Sequence, residues 1–252
     1  MLSVAVDVPT NRVVVATQRG STDVANSLRA AYGDAVVVTY LDHAPMPMTC
    51  SPFNCPNPLK GGLSITGGGY ICTSGYFQKV GSVLYMITGG HCLDDAGGVG
   101  VPWYHTSLIG YAAHYQSAGT ADAGLITSSE GGARNQVLEY VASPPPWYTI
   151  LSLTGWTAGS SQTLGSLVCK AGQTTGWTCG TLTQKDVTVG NRYHLNVTTA
   201  TTSGGDSGGS VIGPSTKLYG ETSLGDSGHD YYVTPDRVNS FFGGSPCVTA
   251  SC

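Results

Sequence analysis

The sequence is short of charge. Only 10% of its 252 residues are Asp, Glu, Lys or Arg, the formal net charge is −4, and Lys and Arg form no run anywhere. A surface that neutralises nucleic-acid phosphates needs clustered cations, so nucleic acid is not an expected partner. Long apolar runs are missing too. None approaches the roughly 18 to 20 residues that a helix needs to cross a bilayer, so a membrane is not an expected partner either. The opening MLSVAVDVPTNR has no basic segment leading into an apolar core and does not read as an export signal.

What the chain has instead is Gly, 36 residues of it, with abundant Ser and Thr. That texture suits many short strands joined by tight turns rather than a helical bundle. Eight cysteines, an even number in a polar chain, point to disulfides and an oxidising compartment. The expectation is a secreted protein whose export signal is not part of this sequence.

Three regions differ in pattern. Residues 1–42 read as a small α+β unit in the order β-β-α-β: LSVAVD and RVVVATQ as strands, a helix with Ser21 at its N-cap and Gly33 at its end, then VVVTYLD. Residues 43–60 form a linker, the stretch 43–62 holding five prolines. Residues 61–252 carry ten or more β-rich runs punctuated by Gly or Ser, which suggests a mainly β barrel architecture. Only TPDRVNSFFGG near the end looks helical, with Thr234 to cap, Pro235 in the first turn and Gly243 to close.

The chemistry centres on TTSGGDSGGS, residues 201–210. A serine hydroxyl is a poor nucleophile near neutral pH. It needs a base to take its proton, a carboxylate to orient the base, and donors for the developing oxyanion. Ser207 alone could sit in an ordinary glycine-rich loop, but two partners have suggestive settings. MITGGHC places His91 after an apolar strand, and GTADAGLIT places Asp122 at the head of another. Asp94 and Asp95, in a polar turn, compete less well for the carboxylate role. His43, His105, His114, His194 and His229 have no comparable context. The order His91, Asp122, Ser207 is that of the chymotrypsin type.

GGHC, DAGL and GDSGGS, with VCKAGQTTGWTCG, YGETSLGDSG and YYVTPDRVNSFFG, make residues 61–243 resemble the bacterial chymotrypsin-type serine proteases of the α-lytic protease and streptogrisin group. The resemblance implies two six-stranded antiparallel β-barrels with a cleft between them. It implies residues 1–58 as similar to the end of that family's pro-segment, a folding aid and an intramolecular inhibitor. It assigns His91 as general base, Asp122 as its orienter and Ser207 as nucleophile, with the N–H groups of Gly205 and Ser207 as oxyanion hole. Substrate would meet Thr201, Thr202, Ser203 and Gly204 on one side and Ser223, Leu224 and Gly225 on the other, Ser223 also bonding Asp122. Cys72–Cys92 and Cys169–Cys179 match family disulfides. For Cys50 with Cys55 and Cys247 with Cys252, local rings, cross-links between the pairs, or a zinc site are all open, and local rings are favoured.

The implied activity is a secreted, monomeric serine endopeptidase acting on polypeptide after uncharged small or apolar residues. It would use no metal or organic cofactor and work best at neutral to mildly alkaline pH, where His91 is uncharged. An inactive homologue serving as a secreted binding module is the alternative, and an esterase would share the chemistry. Departures from the family stand out. Gly90 replaces an alanine, which is expected to loosen the backbone. The cysteine pair that braces the specificity pocket is absent, and Glu221 replaces an apolar residue. Asp206 should be buried against a cation, yet the stretch SLTGW (152–156), matched to the relatives' internal arginine, has none. Asn196-Val197-Thr198 is a glycosylation sequon within an expected strand.

Overall fold

The computed structural model describes residues 3–7, 10–41, 50–128, 134–142, 146–226 and 228–252. His43 lies outside them, as does the first part of the proline-rich stretch. The chain divides into two compact units, Met1–Pro47 with Pro144–Trp147, and Met48–Ser143 with Tyr148–Cys252.

In the first unit β1 (Ser3–Asp7) pairs antiparallel with β2 (Arg12–Gln18), and β3 (Val36–Leu41) lies parallel to β2 on its other edge. Parallel neighbours need a crossover, and α1 (Thr22–Tyr32) supplies it, burying Ala25. Ser21 and Gly33 stand at the helix ends as expected, but the Ser21 side chain makes no capping bond.

The second unit holds the remaining strands. Its first half contains β4 (Ser64–Gly67), β5 (Tyr70–Thr73), β6 (Phe77–Val80), β7 (Val83–Thr88), the short helix α2 (Gly90–Asp95), β8 (Pro102–Tyr104), β9 (Leu108–Gln116) and β10 (Ala123–Thr127). A hairpin, β11 (Gln136–Val141) with β12 (Trp147–Ser152), follows. The second half runs through β13 (Gly155–Trp156), β14 (Leu167–Gly172), β15 (Gly176–Val189), β16 (Arg192–Thr198), β17 (Ser210–Gly213), β18 (Lys217–Gly225) and β19 (Asp230–Val233). Helix α3 (Pro235–Phe242) and β20 (Ser245–Pro246) end it.

Six strands of the second half close a barrel, in the order β18-β17-β14-β15-β16-β19 and back to β18. The first half is an eight-stranded sheet, β20-β6-β7-β10-β9-β8-β4-β5, whose end strands are not paired to each other among the described residues. Two barrels are expected from the sequence, and pairing closes one. The edges of the open sheet are otherwise engaged. Thr73 at the end of β5 gives its N–H to Ser207 O at 2.8 Å, and β20 ends in Pro246, which has no N–H to extend a ladder.

Burial follows the strand pattern. One cluster gathers Leu63, Ile65, Met86, Trp103, Ile126 and Leu138, and a second gathers Ile87, Leu125, Leu195, Ile212, Leu218 and Val238. Residues Val168–Gly172 of β14 are all buried, so any polar side chain there must find its partner inside. The described part of the proline-rich stretch is also packed: Cys50, Cys55, Leu59 and Lys60 are buried. All eight cysteines pair as disulfides, Cys50–Cys55, Cys72–Cys92, Cys169–Cys179 and Cys247–Cys252. Asn196 of the sequon is buried and donates to Gln162 Oε1 at 2.9 Å, so it is an internal strut. Thr234 precedes α3 without a side-chain cap bond, and Asp236 of its first turn instead accepts from Gly159 N at 2.8 Å.

Gly90 opens α2, one residue ahead of His91. A Cβ on it would lie 1.8 Å from Gln116 O and 2.8 Å from Ala123 N. The glycine therefore does more than loosen the backbone. It lets α2 sit directly on β9 and the start of β10, the strands that deliver Asp122. Gly90→Ala should destabilise the protein by at least about 2 kcal/mol, since backbone must move to admit the methyl group. Urea denaturation of the two forms checks this.

Candidate active site

The two halves of the second unit contribute to one cluster. β7 ends at Thr88 and α2 carries His91, fixed by the Cys72–Cys92 disulfide one residue on. Closing a loop of that size stabilises by about 3 kcal/mol through the unfolded chain. Asp122 sits just ahead of β10 in a tight turn, with Ala123 N bonded to Ala121 O at 2.6 Å. Ser207 lies in the loop before β17, and Ser223 lies in β18.

The structure brings His91, Asp122 and Ser207 together. His91 Nε2 is 2.8 Å from Ser207 Oγ, and its Nδ1 is 2.9 Å from Asp122 Oδ2. A carboxylate only accepts, so Nδ1 carries the proton and Nε2 is left to accept from the serine hydroxyl. The His91 backbone N–H donates to Asp122 Oδ1 at 2.9 Å, which sets both oxygens of the carboxylate. Ser223 Oγ donates to Oδ2 at 2.5 Å. Asp122 is 1% exposed. Burial alone would raise its pKa, but the His91 bond and charge, the Ser223 hydroxyl and the Arg192 charge outweigh it and hold the carboxyl below its ordinary value.

Arg192 is a partner that no sequence motif marks. It begins β16, and its Nε donates to Asp122 Oδ2 at 2.7 Å. Its sequence setting, GNRYH, gives no sign of a distant carboxylate partner. Glu221 is the other unexpected neighbour. It is fully buried, and neither carboxylate oxygen has a hydrogen-bond partner among the described residues. Burial, then Asp122 and Asp230, push its pKa well up, against the pull of Arg192. A protonated, neutral Glu221 is the form such a site stabilises.

The cation for Asp206 is Lys170, at the centre of β14. Its Nζ lies 2.7 Å from Asp206 Oδ2, with both side chains fully buried. The same carboxylate accepts from Thr174 N at 2.8 Å, Thr175 N at 3.1 Å, Thr175 Oγ1 at 2.7 Å and Ser203 N at 3.0 Å. Burial pushes Asp206 up, and Lys170 with Thr175 brings it below the ordinary range. SLTGW supplies no cation, and the partner comes instead from LVCKAG, where a lone lysine interrupts an apolar strand. That interruption was the available signal.

The other expected residues fall as follows. Gly205 has φ +95°, a conformation open to glycine, and a Cβ there would meet Gln173 Nε2 at 2.2 Å. Neither its N–H nor that of Ser207 is bonded among the described residues. The two segments expected to meet substrate lie side by side, because a Cβ on Gly225 would come 2.0 Å from Thr202 Cγ2. Thr201, Ser203, Gly204 and Gly225 are exposed, Thr202 and Leu224 half-buried, and Ser223 buried. Asp226 is exposed and taken up by Gly228 N, His229 and Tyr231. The remaining described histidines are elsewhere. His105 bonds Ser64 O, His194 bonds Asp186, and His114 is exposed. Asp94 accepts from Tyr115 and Ser117.

No family model matches the sequence. Glutamyl endopeptidase 2 of Streptomyces griseus is 28% identical over 167 residues, 64% of this chain and 82% of that protein. Streptogrisin-C of the same organism is 29% identical over 247 residues, 91% of this chain and 48% of its own length, so the chain spans about half of that relative. Among solved structures, Thermobifida fusca protease A superposes with a TM-score of 0.62 at 28% identity, over 75% of this chain and 98% of that one.

Two outcomes follow from the buried charges. Lys170→Met leaves Asp206 without its cation and should cost about 3 kcal/mol, with part regained when Asp206→Asn is added. Denaturant midpoints of the two variants read this directly. Burial pushes Asp230 up to about 7, against the nearby Lys170 charge. A carboxyl whose folded value is raised binds its proton more tightly when folded, so its contribution falls as pH rises from about 4 to about 7. Asp230→Asn should therefore gain on the wild type across that window by an amount on the order of 4 kcal/mol, in unfolding measured at both ends.

Proposed function

This chain is a relative of the bacterial chymotrypsin-like serine proteases of the streptogrisin and α-lytic protease group, and on that footing we propose that it is a serine endopeptidase acting through an acyl-enzyme on Ser207. The supporting observation is the unbroken hydrogen-bonded line Ser207–His91–Asp122, at 2.8 and 2.9 Å. His91 Nε2 takes the hydroxyl proton as Ser207 Oγ attacks the scissile carbonyl. Asp122 holds the Nδ1–H tautomer and stabilises the imidazolium. The Gly205 and Ser207 N–H groups receive the oxyanion. His91 then returns its proton to the leaving amine, and water repeats the sequence to release the acyl group. Side chains and backbone supply all of this chemistry, so the reading requires no metal or organic cofactor.

The proposed substrate is a polypeptide cut after an uncharged small or apolar residue. Thr201, Thr202 and Ser203 offer only neutral groups, and the Asp226 carboxylate is engaged within its own turn. A peptide panel showing strong preference for Arg, Lys or Glu at the cleaved residue would overturn this specificity. Residues 61–252 are read as the protease domain, two barrels in the relatives' manner, secreted and monomeric. Residues 1–42 are read as pro-segment-like and an intramolecular inhibitor, released by cleavage within 43–62. The match to streptogrisin-C, over 91% of the chain, reaches ahead of residue 61.

Intact mass after treatment with a fluorophosphonate, beside Ser207→Ala, tests the reading. A single adduct lost in the variant is expected. No adduct, even after limited proteolysis within 43–62, would make the chain an inactive homologue.

A further inference from the structure

The oxyanion hole depends on a peptide that glycine leaves free to turn. Gly204 and Gly205 flank it, Gly205 at φ +95°. Nothing lies within 4 Å of where a Cβ on Gly204 would be. Between two glycines, the peptide plane rotates at little steric cost. Turned one way, the Gly205 N–H is available to a substrate oxyanion. Turned the other way, the Gly204 carbonyl takes its place and repels the same oxygen. The choice has to be imposed from outside the loop.

We infer that Thr174 is the positioning residue that selects the active orientation of the Gly204–Gly205 peptide, and that Gln173 steadies it. The Thr174 hydroxyl donates to Gly204 O at 2.7 Å. The C=O and N–H of a trans peptide point in opposite directions, so fixing that carbonyl on Thr174 directs the Gly205 N–H away from it. Thr174 is itself held at two points. Its backbone N–H donates to Asp206 Oδ1 at 2.8 Å, and Gln173 Nε2 donates to its Oγ1. The next carbonyl is fixed from β5 with help from the same segment: Thr73 Oγ1 donates to Gly205 O at 2.7 Å and accepts from Gln173 N at 3.0 Å. Both peptides around Gly205 are thus oriented by hydroxyls that residues 173–174 present or steady. Through these bonds the turn bridged by Cys169–Cys179 acts on catalysis.

This inference rests on the serine protease reading, and the experiment separates the two. Steady-state kinetics on a peptide ester are measured for the wild type, Thr174→Val and Thr174→Ser, together with the carbonyl stretching frequency of the acyl-enzyme. Valine keeps the shape and removes the hydroxyl, and serine keeps the hydroxyl. Thr174→Val should lower kcat by about 100-fold, the scale of losing one oxyanion donor, while KM moves less than about threefold. Its acyl carbonyl band should rise in frequency as hydrogen bonding weakens, and Thr174→Ser should stay near the wild type in both readouts. If Thr174→Val fails to fold, Gln173→Met leaves the Thr174 hydroxyl in place but unsteadied, and its acyl carbonyl band should shift in the same direction. An active wild type whose Thr174→Val keeps kcat, or whose valine and serine variants lose it equally, overturns the inference. An unshifted band in Gln173→Met overturns its second half. A wild type with no turnover and no Ser207 adduct overturns the protease reading, and the inference with it.

Discussion

The buried Asp206 carboxylate is the constraint on which the site depends. It takes six donors of three kinds: the Lys170 ammonium, backbone N–H groups from Thr174, Thr175 and Ser203, and the Thr175 and Thr202 hydroxyls. Those donors come from β14, the turn after it and the loop ahead of the nucleophile. Without Lys170 the carboxylate would be a costly buried charge. With it, the same charge is a fixed point from which residues 173–175 and 203–207 are hung. Ser207 and the Gly205 N–H inherit their positions from that arrangement.

A second buried carboxylate plays the matching part on the other side of the nucleophile. Asp122 turns one oxygen to the His91 backbone and the other to the His91 ring, Ser223 and Arg192. The two carboxylates divide the work. In the proposed reaction, one places the serine and the oxyanion peptide, and the other places the base. They belong to different halves of the second unit, and short backbone and hydroxyl bonds join those halves, Thr73 N to Ser207 O at 2.8 Å and Ser210 Oγ to Gly75 O at 2.6 Å. Rigid placement of this kind allows a weak nucleophile to react, because the groups need little rearrangement when charge develops.

Much of this was legible in the sequence, and the reasons are local. His91 follows one apolar strand, Asp122 heads another and Ser207 lies in the loop ahead of a third, each inside a short contiguous motif, so strand pattern and residue type carry the reading together. The mainly β character followed from the Gly, Ser and Thr punctuation. What escaped were partnerships made over distance. Arg192 has no local sign of a carboxylate partner and reaches an aspartate 70 positions away. Lys170 is marked only as a charge within an apolar strand, and its partner lies 36 positions on with no local pattern to link them. Gly90 read as slack in the backbone, whereas its reason is the carbonyl of Gln116, which only packing reveals. Barrel closure is likewise a pairing between distant strands, and the short proline-ended edge at β20 has no signature in periodicity.

The most direct test of the account is a crystal structure of the chain with a peptide boronate bound. The account predicts boron bonded to Ser207 Oγ, with one boronate oxygen about 3 Å from both Gly205 N and Ser207 N and another near His91 Nε2. Lys170 and Thr174 should keep their bonds to Asp206 and to Gly204 O. A boronate that leaves Ser207 unmodified, or a Gly205 N–H turned away from its oxygen while Thr174 still holds Gly204, would contradict it.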